Sequence, residues 1–339
     1  MQIEEVDPST APDTLLEEMW KYYVPVYKED LPDDPPVPKA RQVNDWQHVM
    51  KTEAIPRWLL RDSSGIVGSG VAFYDLEQNL DNGHMRVHIR TDRRGEGLGR
   101  KLAAPILERL EDAGRKRVAT YVKEGSSVEG FLESLGMKSA YREKRSRLAV
   151  DEVDVAEMQR WIQRAAERAS EYDLLPLKIP YPEDVLETWC ELQFQMNTAP
   201  REDFVEDDQK FTPDIWRDLE GTINSAEKDI DTLVAIHKPT GDWVGSTSIQ
   251  TDRLYSAQAW QWETIVHPDH RNKGIGRWLK AKKIIDAMEE YPLIERVDTW
   301  NAGSNEPMLN INDAMGFKSI LITNAYQGEL GEVRRRLGV

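Results

Sequence analysis

The strongest constraint on this chain is that it is written twice. The segment Ile89-Arg-Thr-Asp-Arg-Arg94-Gly95-Glu-Gly97-Leu-Gly99 aligns with Val266-His-Pro-Asp-His-Arg271-Asn-Lys-Gly274-Ile-Gly276 at a constant offset of 177. Each copy runs into a helix-period stripe: Leu102, Ile106 and Leu110 with Ala103 and Leu107 beside them, and Trp278, Ala281, Ile285 and Met288. A strand-like run follows each, Arg117–Val122 and Arg296–Trp300, and then a second helix ending at Gly136-Met137 or Gly316-Phe317. Upstream, Arg57–Arg61 with Ile66–Tyr74, and Thr232–Ile236 with Trp243–Gln250, read as two hairpins closed at Asp62–Gly65 and Pro239–Asp242. Helical segments precede them at Ala11–Tyr23 and Pro182–Asn197. This order predicts a mixed α/β (α+β) fold in two tandem domains, 1–150 and 151–339, each a central mixed sheet flanked by helices. Within Asp151–Tyr172 the apolar positions Val155, Met158, Trp161, Ile162 and Ala165 predict a connecting helix.

Composition narrows the function classes. The net charge is −16 over 339 residues, and it is uneven: residues 1–150 carry −2 and residues 151–339 carry −14. A broad anionic field argues against nucleic acid and favours a cationic small-molecule partner. No apolar run is long enough to span a bilayer, and the acidic N-terminus does not read as a secretory signal. The single Cys190 excludes an internal disulfide framework and a multi-cysteine zinc site, so no metal is expected and the expected setting is cytoplasmic. Cys190 lies on a helical pattern beside Trp189 and Leu192 and reads as a buried structural thiol.

A strand, then Arg-x-x-Gly-x-Gly, then a helix is a site for an anion. The unpaired N–H groups of the first helical turn face it, and the helix dipole favours a diphosphate there. In the second copy Arg271, Lys273, Arg277, Lys280, Lys282 and Lys283 crowd the turn. The dinucleotide fingerprint fails in both copies, because Arg100 and Leu279 stand where its third glycine belongs, and no P-loop spacing occurs.

These residues resemble the GNAT superfamily of acyl-CoA-dependent N-acetyltransferases. Arg271-Asn272-Lys273-Gly274-Ile275-Gly276 looks like its pyrophosphate-binding motif, and Glu263-Thr-Ile-Val-His-Pro268 like its central strand. Asn301-Ala-Gly-Ser-Asn305-Glu-Pro-Met308-Leu-Asn-Ile-Asn312-Asp-Ala-Met-Gly316-Phe317 looks like its following strand end and helix. The full length resembles the tandem subgroup, with the fused-domain architecture of mycothiol synthase, and Met196–Arg201 looks like a loop of that subgroup. The resemblance implies acetyl-CoA as cofactor, held in the second half by Ile265, Val266, His267, Arg271 to Arg277, Asn301, Asn305 and Met308. A backbone N–H near Val266 would polarise the thioester carbonyl. A possible second site comprises Val87, Ile89, Arg94, Gly95, Gly97, Gly99 and Arg100.

The same resemblance implies that Glu263 is the base that deprotonates an incoming amine; Arg86 stands at the matching place in the first half. Where many relatives keep a tyrosine acid, this chain has Asn312, which can donate to the coenzyme sulfur but cannot transfer a proton. Tyr326 is an alternative acid. Trp260, Trp262 and Trp300 are either core or an aromatic wall for a cationic acceptor. The expected activity is transfer of an acetyl group to a small amine by a monomer or homodimer, with the second half catalytic and the first a degenerate copy. The alternative is a non-catalytic acyl-CoA-binding or sensing protein.

Overall fold

The computed structural model describes residues 1–339, the Ala166 side chain excepted. It divides into two compact units, Met1–Glu143 with Arg201–Asp208 and Leu321–Val339, and Lys144–Pro200 with Gln209–Ile320. The units are therefore not contiguous halves. A short loop and the last strand and helix of the chain belong with the first unit, whereas the sequence places everything after residue 150 in the second. Among the described residues no helix is long and apolar enough to cross a membrane.

The first unit contains β1 (Gln2–Val6), α1 (Asp13–Asp30), α2 (Lys39–Gln47), the two-residue β2 (Glu53–Ala54), β3 (Arg57–Asp62), β4 (Gly65–Asp75), β5 (Asn82–Ile89), α3 (Leu98–Asp112), β6 (Arg117–Lys123) and α4 (Val128–Ser134). The strand β7 (Lys138–Ala149) begins in it, and β13 (Lys318–Glu329) and α10 (Leu330–Leu337) complete it. Its strand order is β1-β3-β4-β5-β6-β13, antiparallel except for β5–β6. The predicted stripe of α3 is the buried one: Leu102, Ala103, Ile106, Leu107 and Leu110 all face the sheet. The helix lies so close that a Cβ on Gly70 would come within 2.7 Å of Ile106 Cδ1. Tyr326, Leu330, Val333 and Leu337 from the end of the chain fill the same core.

The second unit takes β7 from Lys144 onward, then α5 (Val155–Arg168), β8 (Tyr172–Lys178), α6 (Leu186–Gln193), α7 (Pro213–Ser225), β9 (Lys228–His237), β10 (Trp243–Asp252), β11 (Gln258–Val266), α8 (Ile275–Glu290), β12 (Arg296–Ala302) and α9 (Glu306–Met315). Its order is β7-β12-β11-β10-β9-β8, in which β11–β12 is parallel and β8–β9, β9–β10 and β10–β11 are antiparallel. The predicted connecting helix is α5, capped by Asp154, whose side chain accepts from Glu157 N. It packs on α8 and buries Met158, Trp161 and Ala165. On α8 the buried apolar residues are Ile275, Leu279, Ala281, Ile284 and Ala287, with Lys280 and Lys283 buried among them. The expected stripe through Trp278, Ile285 and Met288 is its half-buried margin.

Candidate active site

The functional geometry of the second unit begins with a register slip. Thr247 pairs with Thr264, but Ile249 pairs with Gln261. Trp262 and Glu263 therefore stand together opposite Ser248, a β-bulge of the kind that re-aims a side chain. Glu263 is half-buried, and Ser248 Oγ donates to its Oε1 at 2.6 Å. Burial pushes the Glu263 carboxyl up to about 7, against the smaller downward pull of Ser248. Ser246 and Gln193 also favour its charged form, although neither Ser246 Oγ nor Gln193 Nε2 completes a hydrogen bond.

Beside the bulge the parallel pair opens. The β11–β12 register runs from Gln258–Arg296 to Trp260–Asp298 and stops, while β11 continues to Val266 and β12 to Ala302. The diverging ends lead to the glycine turn. Arg271 Nε donates to Val266 O at 3.0 Å and Nη2 to Thr198 Oγ1 at 3.3 Å. Asn272 has φ 65° and Gly274 φ 85°, which brings the chain into α8 with its first N–H groups facing outward. A Cβ on Gly274 would meet nothing within 4 Å, so the space in front of the turn is open.

That space is part of a cleft of about 750 Å³, lined by Thr264–Val266, the 271–277 turn, the loop around Thr198, Asn305 and Met308. Five cations line it: Arg164 and Arg168 of α5, Arg271, Lys273 and Arg277. Lys273 Nζ donates to Tyr172 OH at 2.9 Å, which meets His270 Nδ1 at 2.7 Å, and Arg277 lies over the Trp161 ring at 5.2 Å. Open N–H groups, a helix N-terminus and five cations fit the diphosphate of a coenzyme.

Residues 193–317 match the acetyltransferase (GNAT) family model. Among solved structures, a tandem GNAT protein from the clavulanic acid biosynthesis pathway superposes with a TM-score of 0.78 at 20% identity, over 97% of this chain and 99% of the other. A GCN5-related N-acetyltransferase from Sphaerobacter thermophilus gives 0.68 at 14% identity over 97% and 95%. The chain has the tandem GNAT fold. A glucosamine N-acetyltransferase region of a fungal multi-domain β-N-acetylglucosaminidase shares this fold at TM-score 0.67 and 14% identity, covering 96% of this chain and 38% of that one. No curated protein sequence matches.

Within this GNAT frame, Ile265, Val266, Arg271 to Arg277, Asn305 and Met308 all line one cleft. His267 caps the short turn after β11, its ring accepting from Asp269 N at 3.4 Å. Several expectations are corrected. Tyr326 lies in the first unit's core and donates to Glu133 at 3.4 Å, so it does not belong to the cleft. Asn312 is 1% exposed, and its Nδ2 donates to Asn301 Oδ1 at 2.7 Å, so this pair braces α9 against β12. Lys280 is buried near the Phe317 ring at 5.3 Å, Lys282 pairs with Asp286, and Lys283 with Asp231, so these three do not line the cleft. The Trp260–Trp300 stack, 4.7 Å apart, is already faced by an internal cation, Arg145, at 4.9 Å from each ring. Arg145 and Arg147 both clamp the fully buried Asp298.

Four contributors escaped the sequence reading: Thr198, Arg164, Arg168 and Ser248. The i, i+4 spacing of the two arginines on the predicted α5 was the available signal. Thr198 lies in the Met196–Arg201 loop that the resemblance marks, although not by its own residue type, and nothing local marks Ser248.

In the first unit β5 and β6 also part early, after His84–Ala119, and Arg94 Nε donates to Ile89 O at 2.9 Å. The turn glycines Gly95 and Gly97 have φ 85° and 75°, while Gly99 packs toward Val87 and Ile89. The arginine, however, is taken. Arg94 Nη2 donates to both oxygens of Glu29 on α1, at 2.8 and 2.6 Å, and Thr91 Oγ1 donates to the same carboxylate at 3.0 Å. Burial opposes the Glu29 charge, but Arg94 and Thr91 hold its carboxyl below the usual range. Arg100, expected at a second cofactor site, instead donates to Leu337 O.

Proposed function

We propose that the protein is an acyl-CoA-dependent N-acyltransferase, and that its second unit moves an acetyl group from acetyl-CoA to a primary amine of a small, cationic acceptor. The observation that carries this reading is an open cationic cleft at a helix N-terminus whose lining begins on β11 at Thr264, one residue after the carboxylate Glu263 in the β-bulge. Acetyl-CoA would supply an activated thioester. The residues of the 271–277 turn and the arginines of α5 would hold its diphosphate, and the freed edge of β11 at Ile265 and Val266 would align its arm.

The chain's own chemistry then falls to Glu263. An ammonium has no lone pair to attack with, so a proton must leave first. A carboxylate titrating near 7 is suited to accept it at neutral pH. A backbone N–H near Val266 would stabilise developing oxyanion charge without reorganising. The proton that returns to the leaving thiol would come from solvent, or the thiolate would leave without help. The negative charge of residues 151–339 supports a cationic acceptor.

The test is release of free thiol from acetyl-CoA across a panel of polyamines, aminoglycosides, amino acids and amino sugars. Amine-dependent turnover supports the reading. A melting shift with acetyl-CoA but no turnover with any amine would favour the coenzyme-binding alternative.

A further inference from the structure

A line of buried hydroxyls runs away from Glu263 across three strands. Ser248 Oγ donates to Glu263 Oε1 at 2.6 Å, Thr232 Oγ1 lies 2.6 Å from Ser248 Oγ, and Tyr181 OH lies 2.5 Å from Thr232 Oγ1. Thr232 is 0% exposed and Ser248 and Tyr181 1%, so bulk water does not compete for these bonds. Each hydroxyl has one proton to give. A carboxylate only accepts, so Ser248 must spend its proton on Glu263, Thr232 on Ser248, and Tyr181 on Thr232. Burial pushes the Tyr181 phenol up, which keeps it a donor. All the dipoles then point the same way, and each bond polarises the next.

The far end is fixed. The Tyr181 ring stacks on Trp216 at 5.4 Å and meets Trp189 edge-on at 5.1 Å, and Tyr181 N donates to Glu220 Oε1 at 2.7 Å. The charged groups facing this line are Glu220 on α7 and Asp231 on β9. Glu220 also accepts from Trp216 Nε1 and Arg217, and Asp231 is met by Lys178, Lys283 and Tyr291. The first unit has no such line. At the cross-strand places of Ser248 and Thr232 it has Val71 and Arg57, and Arg86 replaces the carboxylate.

We propose that Ser248, Thr232 and Tyr181 are positioning residues: an oriented hydroxyl chain that fixes the Glu263 carboxylate and sets the pH at which it takes up a proton. The proposal rests on the reading of Glu263 as the base. It predicts that breaking the chain close to Glu263 makes the carboxylate harder to form, and that breaking it farther away does so less.

The experiment is an infrared pH titration of the full chain, following the carboxylic-acid stretch that disappears in Glu263→Gln. Ser248→Ala should move the Glu263 midpoint up by about one pH unit or more, the scale of a lost hydrogen bond to a charged group. Thr232→Val should move it less, and Tyr181→Phe by roughly a few tenths, since polarisation along such chains fades with distance. Thr232→Ser, which restores the hydroxyl, should return the wild-type midpoint. If Ser248→Ala and Thr232→Val both titrate with the wild-type midpoint, the proposal is overturned. The probe needs no acceptor, so the two failures stay separate: full amine turnover by Glu263→Gln would remove the base role, whatever the infrared midpoints show.

Discussion

The two glycine turns share a backbone and differ in what answers their arginine. Arg94 and Arg271 make the same bond to the last residue of the preceding strand. Beyond that bond, Arg94 meets the carboxylate of Glu29, while Arg271 meets only the neutral hydroxyl of Thr198. One turn supplies its own anion, and the other leaves the place open to a ligand. The neighbouring strands differ in the same sense. The β4–β5 register is unbroken from Gly68–Ile89 to Phe73–His84 and leaves Arg86 exposed, whereas the β10–β11 slip turns Glu263 inward. The first copy thus keeps the architecture of the second, but its turn arginine is met by Glu29 and its strand pair lacks the bulge.

The largest effect expected from breaking this contrast is at the bulge. Glu263→Gln should lower amine turnover by about 10²-fold or more near neutral pH, the usual scale of general-base assistance. The loss should shrink at high pH, where the acceptor amine is already neutral. Arg86→Gln should leave turnover intact. Equal losses in both variants would show that the two strands are not functionally distinct.

Next comes the turn itself. Replacing Gly274 and Gly276 with valine puts one side chain into the open space, sets the other against Val266 and Ile311, and strains a φ of 85° at Gly274. Acetyl-CoA affinity, read by calorimetry, should fall at least about tenfold through the lost fit and the roughly 1–2 kcal/mol cost of a left-handed residue. The same replacements at Gly97 and Gly99 should leave the affinity unchanged.

A weaker, converse change is expected at the clasp. Glu29→Ala frees Arg94 and should give the first unit a measurable, low-affinity coenzyme site, raising the binding stoichiometry above one. A stoichiometry that stays at one would mean that the clasp is not what closes this turn.

The smallest effect is on stability. The Glu263 carboxyl titrates near 7 in the folded chain against 4.5 for the unperturbed group, so between these values the folded state holds the extra proton. Its contribution is full below about pH 4.5 and declines as pH rises through 7. Glu263→Gln should flatten that decline and raise stability near pH 8 by on the order of 2 kcal/mol, measured as denaturant midpoints.

The repeat, the hairpins, the α3 face and the diphosphate turn were legible because each depends on local spacing. What was not legible depends on partners far away in sequence. Glu29 looks like any other exposed acid at a helix end until α1 lies beside Arg94. The alternation through Gln261, Trp262 and Glu263 reads as ordinary strand, because a bulge exists only relative to the neighbouring strand. Lys280 and Lys283 carry the signature of a solvated face, yet they are buried on α8. Tyr326 follows the second glycine motif in sequence, but pairs with Thr120 on β6.

That last pairing has a consequence for how the molecule is made. On a ribosome, the first unit would emerge long before β13 and α10 exist, with the edge of β6 unpaired and the places of Tyr326, Leu330, Val333 and Leu337 empty. Burying side chains of this size contributes about 1.5–3 kcal/mol each, and the whole folded state is worth only about 5–15 kcal/mol. The nascent first unit would therefore wait, incompletely closed, until the final segment is synthesised. Loss of residues 321–339 would damage the unit built on Met1–Glu143 more than the unit built on Lys144–Ile320.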